Sequence, residues 1–273
     1  MASLNEIPTP PEAPPEAVKP RFGRKLYLVI GLVAIAIIAT ASIIMFTQFL
    51  PSARGEAVTL GLNYSVGEKM TYEINVTITM ETMDTEVSQE ATWEMEVQGF
   101  DGENYTIRQT MTFDQQEFSF TMKMNKTGYI VEYIGLPPEF EQTFSSFLGV
   151  PGFGSYLTEE EVRVGESWEI PFDMELPSID FNGTISYELS EITSVTVPAG
   201  TYEALKINVE GSDLRMEGMD FNVTYNINGY IYLEKATCRL IELRFDQSTT
   251  MTVMDQTQSM EMTIQMQLIE HLK

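Results

Sequence analysis

The sequence predicts an all-β domain, built as antiparallel sheet with one wet face and carried behind a single transmembrane helix. Three observations predict it. Apolar and polar residues alternate with a period of two through most of the chain after residue 61, as in Tyr72, Ile74, Val76, Ile78 and Met80 against Thr71, Glu73, Asn75, Thr77 and Thr79. Turn signals punctuate that alternation. Finally, Leu26 to Phe46 is a run of 21 residues without a charge, preceded by Lys19, Arg21, Arg24 and Lys25.

The elements are taken in chain order. Residues 1–25 form a cytoplasmic, disordered tail with six of the thirteen prolines, at Pro8, Pro10, Pro11, Pro14, Pro15 and Pro20. Such a segment cannot bury enough apolar surface to fold. Pro8 with Pro11, and Pro11 with Pro14, have PxxP spacing, which any proline-rich spacer produces. Residues 26–50 are the transmembrane signal-anchor helix, whose apolar run spans roughly 30 Å at about 1.5 Å per residue. The basic residues lie on its N-terminal side, which keeps the tail in the cytoplasm and the rest outside the cell membrane. The rival reading is a cleaved signal peptide with Ala39-Thr40-Ala41 as the cleavage site, but apolar sequence continues through Ile43, Ile44, Met45 and Phe46. Residues 51–60 are a linker, and 61–273 are the extracytoplasmic β domain.

Charge narrows the partners. The chain holds 40 acidic and 16 basic residues; the first 25 carry three and four of them, leaving 37 and 12 outside, a net charge of -25. Nucleic acid and anionic headgroups are repelled by such a domain. Cys238 is the only cysteine, so no internal disulfide forms, and a pair between molecules stays open. Six of the nine asparagines after Pro51 begin Asn-x-Ser/Thr sequons: Asn63, Asn75, Asn104, Asn125, Asn182 and Asn222. Ser and Thr fill 40 of those 223 positions, so chance gives between one and two sequons. The excess points to N-glycosylation in a secretory context, compatible with an archaeal cell envelope. The alternative is a by-product of a Thr-rich β protein with Asn in its turns.

Further period-two strands run over Tyr105 to Phe113, Phe118 to Met124, Ile185 to Leu189, Phe221 to Ile227 and Met260 to Leu268. Asn182-Gly183, Asn228-Gly229 and Asn125-Lys126-Thr127-Gly128 predict hairpin turns. Between 135 and 157 the pattern breaks. Phe140, Phe144, Phe147 and Leu148 fall at i, i+4, i+7 and i+8, the stripe of a short helix. This segment joins two candidate halves, 61–134 and 158–273. Val66-Gly67-Glu68-Lys69-Met70-Thr71-Tyr72 opens the first, and Val164-Gly165-Glu166-Ser167-Trp168 recurs 98 residues later. A duplicated lobe and convergent use of a Gly turn before an aromatic strand both account for that.

These opening turns, the segment Val197-Pro198-Ala199-Gly200-Thr201-Tyr202-Glu203-Ala204-Leu205-Lys206-Ile207 and the hairpin Gly229-Tyr230-Ile231-Tyr232-Leu233 to Arg239-Leu240-Ile241-Glu242-Leu243 resemble uncharacterised extracytoplasmic proteins related to the lipoprotein-carrier (LolA-like) group. The resemblance implies a curved antiparallel sheet or incomplete barrel, its concave face capped by a helix and holding acyl chains. It extends in pattern over residues 60–270 and in wording over about 30 residues. This chain departs in being anchored, whereas a soluble carrier diffuses, and the turn motifs transfer no lipid-contacting residue.

The common catalytic motifs are missing from the sequence, and nothing singles out a carboxylate pair among its 40 acidic residues. His271, the only histidine, stands near the C-terminus, which leaves no Ser-His-Asp or Cys-His nucleophile and no HExxH zinc site. Gly149, Gly152 and Gly154 lack the lysine and the βαβ context of a phosphate loop. Thr158 followed by Glu159, Glu160 and Glu161 has capping-box spacing and reads as a helix start or a solvated turn. The expectation is therefore no enzyme, no catalytic residue, no metal and no cofactor. Methionine is abundant, with fifteen after Pro51. Phe118, Phe120, Met122 and Met124 share one strand face, as do Met260 and Met262 with Ile264, Met266 and Leu268. Flexible, polarisable Met side chains suit variable apolar ligands, and equally an ordinary sheet core. With Trp93 and Trp168 as walls and Phe140, Phe144 and Phe147 as a lid, they predict a groove for a lipid or other apolar ligand. The alternative is a glycosylated surface structural or adhesion module that binds proteins and is filled by its own side chains.

Overall fold

The computed structural model describes residues 56–273, apart from 81–84, 114–115, 136–160, 177–178, 219–220 and 254–255. Every described element is a strand, and the alternation seen in the sequence is the reason. In order they are β1 (Ala57–Thr59), β2 (Lys69–Met80), β3 (Thr85–Phe100), β4 (Asn104–Phe113), β5 (Gln116–Asn125), β6 (Ile130–Ile134), β7 (Glu161–Arg163), β8 (Ser167–Leu176), β9 (Ile179–Val197), β10 (Gly200–Gly218), β11 (Phe221–Glu234), β12 (Leu240–Val253) and β13 (Gln256–Leu272). Along β2, for example, Met70, Tyr72, Ile74, Val76 and Ile78 are buried while the residues between them meet solvent.

Eleven strands form one antiparallel sheet in the order β6-β5-β4-β3-β2-β13-β12-β11-β10-β9-β8, and β1 and β7 pair separately. Two hairpin meanders, β2–β6 and β8–β13, are thus joined by pairing of the first and last strands of the sheet, Ile74 opposite Met266. The sheet is curved and is not a closed barrel, since β6 and β8 remain its edges. Register shifts at Val97/Gly99, Lys206/Ile207, Gly211/Leu214, Tyr232/Leu233 and Leu268/Glu270 bend and twist the strands. The curl brings the β9–β10 turn back onto β13, where Ala199 N–H donates to the Leu268 carbonyl at 3.3 Å.

Two predicted turns are corrected. Asn182-Gly183 lies inside β9 and Asn228-Gly229 inside β11. At both places glycine serves close packing. A Cβ on Gly229 would stand 2.0 Å from the Arg244 carbonyl oxygen and 2.7 Å from the Phe245 ring, and one on Gly183 would stand 2.5 Å from Leu214 Cδ2. The third prediction holds. Asn125 Oδ1 accepts the N–H groups of Thr127 and Tyr129 at 3.0 and 2.8 Å, and closes the β5–β6 turn. Among the described residues there is no helix, and so none long and apolar enough to cross a membrane. The tail, the apolar run 26–46, the lid residues Phe140, Phe144 and Phe147, and Thr158 lie outside the described residues. Glu161, the last residue of the predicted capping box, begins strand β7.

Candidate inner face and its sealed end

One face of the sheet gathers the core. Across neighbouring strands the register aligns Trp168, Tyr187, Val209, Gly229, Phe245, Ile264 and Val76 in one row. A second row runs Phe118, Met111, Trp93, Tyr72 and Leu268. Hence all the described candidates, Trp93, Phe118, Phe120, Met122, Met124, Trp168, Met260 and Met262, face the same side. Trp93, Phe120, Met122, Met124, Trp168 and Met262 are buried, and Phe118 and Met260 half-buried. They do not converge on one spot. Phe118 to Met124 sit on β5 beside one edge of the sheet, Met260 and Met262 at its centre, and Trp168 on the opposite edge strand, stacked on Tyr187 at 6.0 Å and 12°.

Burial falls along this face. Residues 57–65 act as a strap across one end: Leu60 and Leu62 are buried, Leu62 N–H donates to the Lys126 carbonyl at 2.8 Å, and Asn63 N–H to the Thr237 carbonyl at 3.1 Å. The strap thereby ties the β5–β6 turn to the β11–β12 turn. Tyr105 adds its hydroxyl to the Leu62 carbonyl at 3.2 Å. Away from the strap the inward positions open. Met80, Met251 and Met260 are half-buried, while Val87 and Phe113 are 38% and 39% exposed.

At the strapped end lies an ionic cluster that the sequence did not announce. Arg239 is 0% exposed and Glu68 2%. The Arg239 guanidinium meets Glu68 Oε1 at 3.1 Å and Glu234 Oε2 at 2.5 Å. Both ring nitrogens of His271 face the guanidinium, Nδ1 at 2.7 Å and Nε2 in a shorter contact, and Nε2 also lies 2.9 Å from Glu68 Oε1. In the neutral ring, the tautomer protonated at Nε2 donates to Glu68 and accepts from Arg239 through Nδ1, whereas the one protonated at Nδ1 accepts from Arg239 through Nε2. Burial, helped by the Arg239 charge, lowers the His271 pKa, while Glu68 opposes that shift. Thr237 donates its hydroxyl to Glu234 in a short contact. Cys238, which the alternation left without a face, is buried here with φ 52°, and burial raises its thiol to about 11.

Other inward polar groups are legible in the alternation itself. Gln109 lies between Ile107 and Met111, and Gln247 and Thr249 continue the run Ile241, Leu243 and Phe245. All three are buried. Gln109 donates Nε2–H to Met122 Sδ at 3.0 Å, and Gln247 donates Nε2–H to Thr249 Oγ1 at 2.8 Å. Gln247 Oε1, Tyr187 OH, Trp93 Nε1 and Trp168 Nε1 are buried without a protein partner. Burial raises the Tyr187 pKa well above its ordinary value. Among the described residues no group of three or more His, Cys, Asp or Glu could hold a metal ion.

The sequons occupy the outer face and the strap. Asn63, Asn182 and Asn222 are exposed, and Asn75, Asn104 and Asn125 half-buried. Asn104 and Asn125 pair directly across β4 and β5.

No protein-family model and no curated protein matches the chain. Among solved structures, the chain is distantly similar to a protein of Bacteroides fragilis described as "a putative exported protein with YmcC-like fold". The match has 11% identity and a TM-score of 0.31, and covers 79% of this chain and 100% of the other. So distant a match transfers neither a fold name nor a role.

Proposed function

We propose that this is an exported, membrane-anchored, non-enzymatic protein whose β domain binds a lipid or other apolar ligand along the inner face. The observation that carries this reading is the gradient on that face. Its apolar side chains are sealed at the strapped end and reach solvent at the other, ending in Val87 and Phe113. An apolar face that reaches solvent at one end gives an apolar ligand a way in. The absence of nucleophile, metal-ligand and phosphate-loop motifs from the sequence supports binding over catalysis.

Native mass spectrometry of the full chain from its own host, followed by organic extraction and lipid analysis, tests this. A stoichiometric apolar adduct is expected. Val87→Glu, at a partly exposed inward position, should lower its retention several-fold in a folded protein. A mass explained by polypeptide and glycans alone, with no uptake of added lipid, would leave the surface-module reading. That alternative draws its support from Asn63, Asn182 and Asn222, which are exposed for modification.

A further inference from the structure

Between the strap-end cluster and the far hairpins, no register-paired Asp, Glu, Lys or Arg among the described residues occupies an inward position of β2–β5 or β9–β13. Arg239, at the strapped end of that face, is fully buried and already shared by Glu68 and Glu234. With His271 neutral, that cluster carries two carboxylates against one guanidinium. A carboxylate or phosphate brought inside would therefore lose its hydration, find no counter-charge and be repelled from the sealed end.

The same face nonetheless offers a specific polar contact. Gln247 is 4% exposed, and its cross-strand neighbours are Met262 and Ile227. One end of its amide is engaged by Thr249 and the other has no protein partner. A buried orphan of this kind needs an explanation. If Oε1 is the free end, it calls for a donor; if the amide is turned over, Nε2 is free and calls for an acceptor. A hydroxyl is both and satisfies either orientation, whereas an ether or a carboxylate only accepts. Tyr187 OH and Trp168 Nε1, on the row adjoining that of Gln247, are further unpartnered polar groups on this face.

Resting on the apolar-ligand reading above, we propose that the ligand is an uncharged long-chain alcohol, linear or isoprenoid, whose hydroxyl is received by Gln247, and that fatty acids and phospholipid headgroups are excluded. The test offers hexadecanol, hexadecanoate and hexadecane at pH 7.5 to the full chain in detergent micelles, with protein-free micelles as the reference. Hexadecanol should be retained at least tenfold better than hexadecanoate. Gln247→Leu, close in volume and free of the orphaned amide, should fold, which its melting curve checks. It should bring hexadecanol down to the level of hexadecane and leave hexadecane unchanged. Equal retention of alcohol and carboxylate, or hexadecanol binding indifferent to Gln247→Leu, would overturn the inference while the apolar-ligand reading stands. Retention of none of the three probes would overturn both.

Discussion

Two turns, Val66-Gly67-Glu68 and Val164-Gly165-Glu166, are built alike bond for bond and yet hold their glutamates in opposite surroundings. Gly67 and Gly165 have φ of 91° and 90°. Their N–H groups donate to the Val97 and Leu189 carbonyls, each at 2.7 Å. Val97 and Leu189 donate back to the carbonyls of Glu68 and Glu166 at 2.9 and 3.0 Å. Each carboxylate Oε2 accepts the N–H three residues before it at 2.8 Å, from Ser65 and from Arg163. The difference lies in the strands that the two turns enter. The first leads into β2, which has β13 on its other side, so His271 stands opposite Met70 and Glu68 is enclosed with Arg239. The second leads into β8, an edge strand, and Glu166 keeps contact with water. Local sequence sets the loop; position in the sheet decides whether its carboxylate is a cap or half of a buried ion pair.

That contrast can be broken most severely at Arg239. Arg239→Met leaves Glu68 buried and Glu234 half-buried without their cation, and should cost about 3–5 kcal/mol in a guanidinium titration of the full chain. The next test pits the two glutamates against each other. Glu68→Gln should lose about 2–3 kcal/mol and Glu166→Gln less than about 1, because only the first faces a charge away from water. Equal losses would mean that the enclosure of Glu68 contributes nothing.

Where the turns are alike their glycines should respond alike. Gly67→Ala and Gly165→Ala each force a side chain into a left-handed backbone and should each cost about 1–2 kcal/mol, with similar midpoint shifts. A marked inequality would show that the shared hydrogen bonds do not govern these loops. The smallest expected effect is in pH. His271 faces Glu68 and Arg239 and feels the charge of Lys273, and its folded pKa lies below its unfolded one. The unfolded chain therefore takes up the proton first, and stability present above about pH 6.5 is lost as pH falls through the lowered folded value. His271→Gln should flatten that part of the stability profile, read by thermal melts from pH 7.5 to 5.

Much of the sheet was legible because strand burial has a period of two. Every alternating stretch identified from the sequence is a described strand, and Asn75 lies on the outward face as the alternation requires. The misread positions were Asn-Gly pairs. A glycine that permits a tight turn and one that lets Phe245 or Leu214 lie flat against the backbone look the same in sequence, and only the register separates them. The curved open sheet agrees with the architecture that the LolA-like resemblance implied, whereas the lid it called for falls on residues outside the described ones. His271 reads in sequence as a lone terminal histidine, because nothing local to residue 271 names Glu68 or Arg239 as neighbours.

By itself the sequence determined the alternating strands, their inward residues and the recurring Val-Gly-Glu turn, since alternation and left-handed glycines act within a few residues. The tertiary structure alone decided that the last strand closes on the first long one. That pairing brings together groups separated by 203 residues, Glu68 and His271, around an arginine from a third segment. It also strapped one end of the inner face and left Gln247 with half its amide unmet. Such outcomes depend on long-range register and on burial, which set the energy of a charge or an amide and leave no mark in the residues beside it.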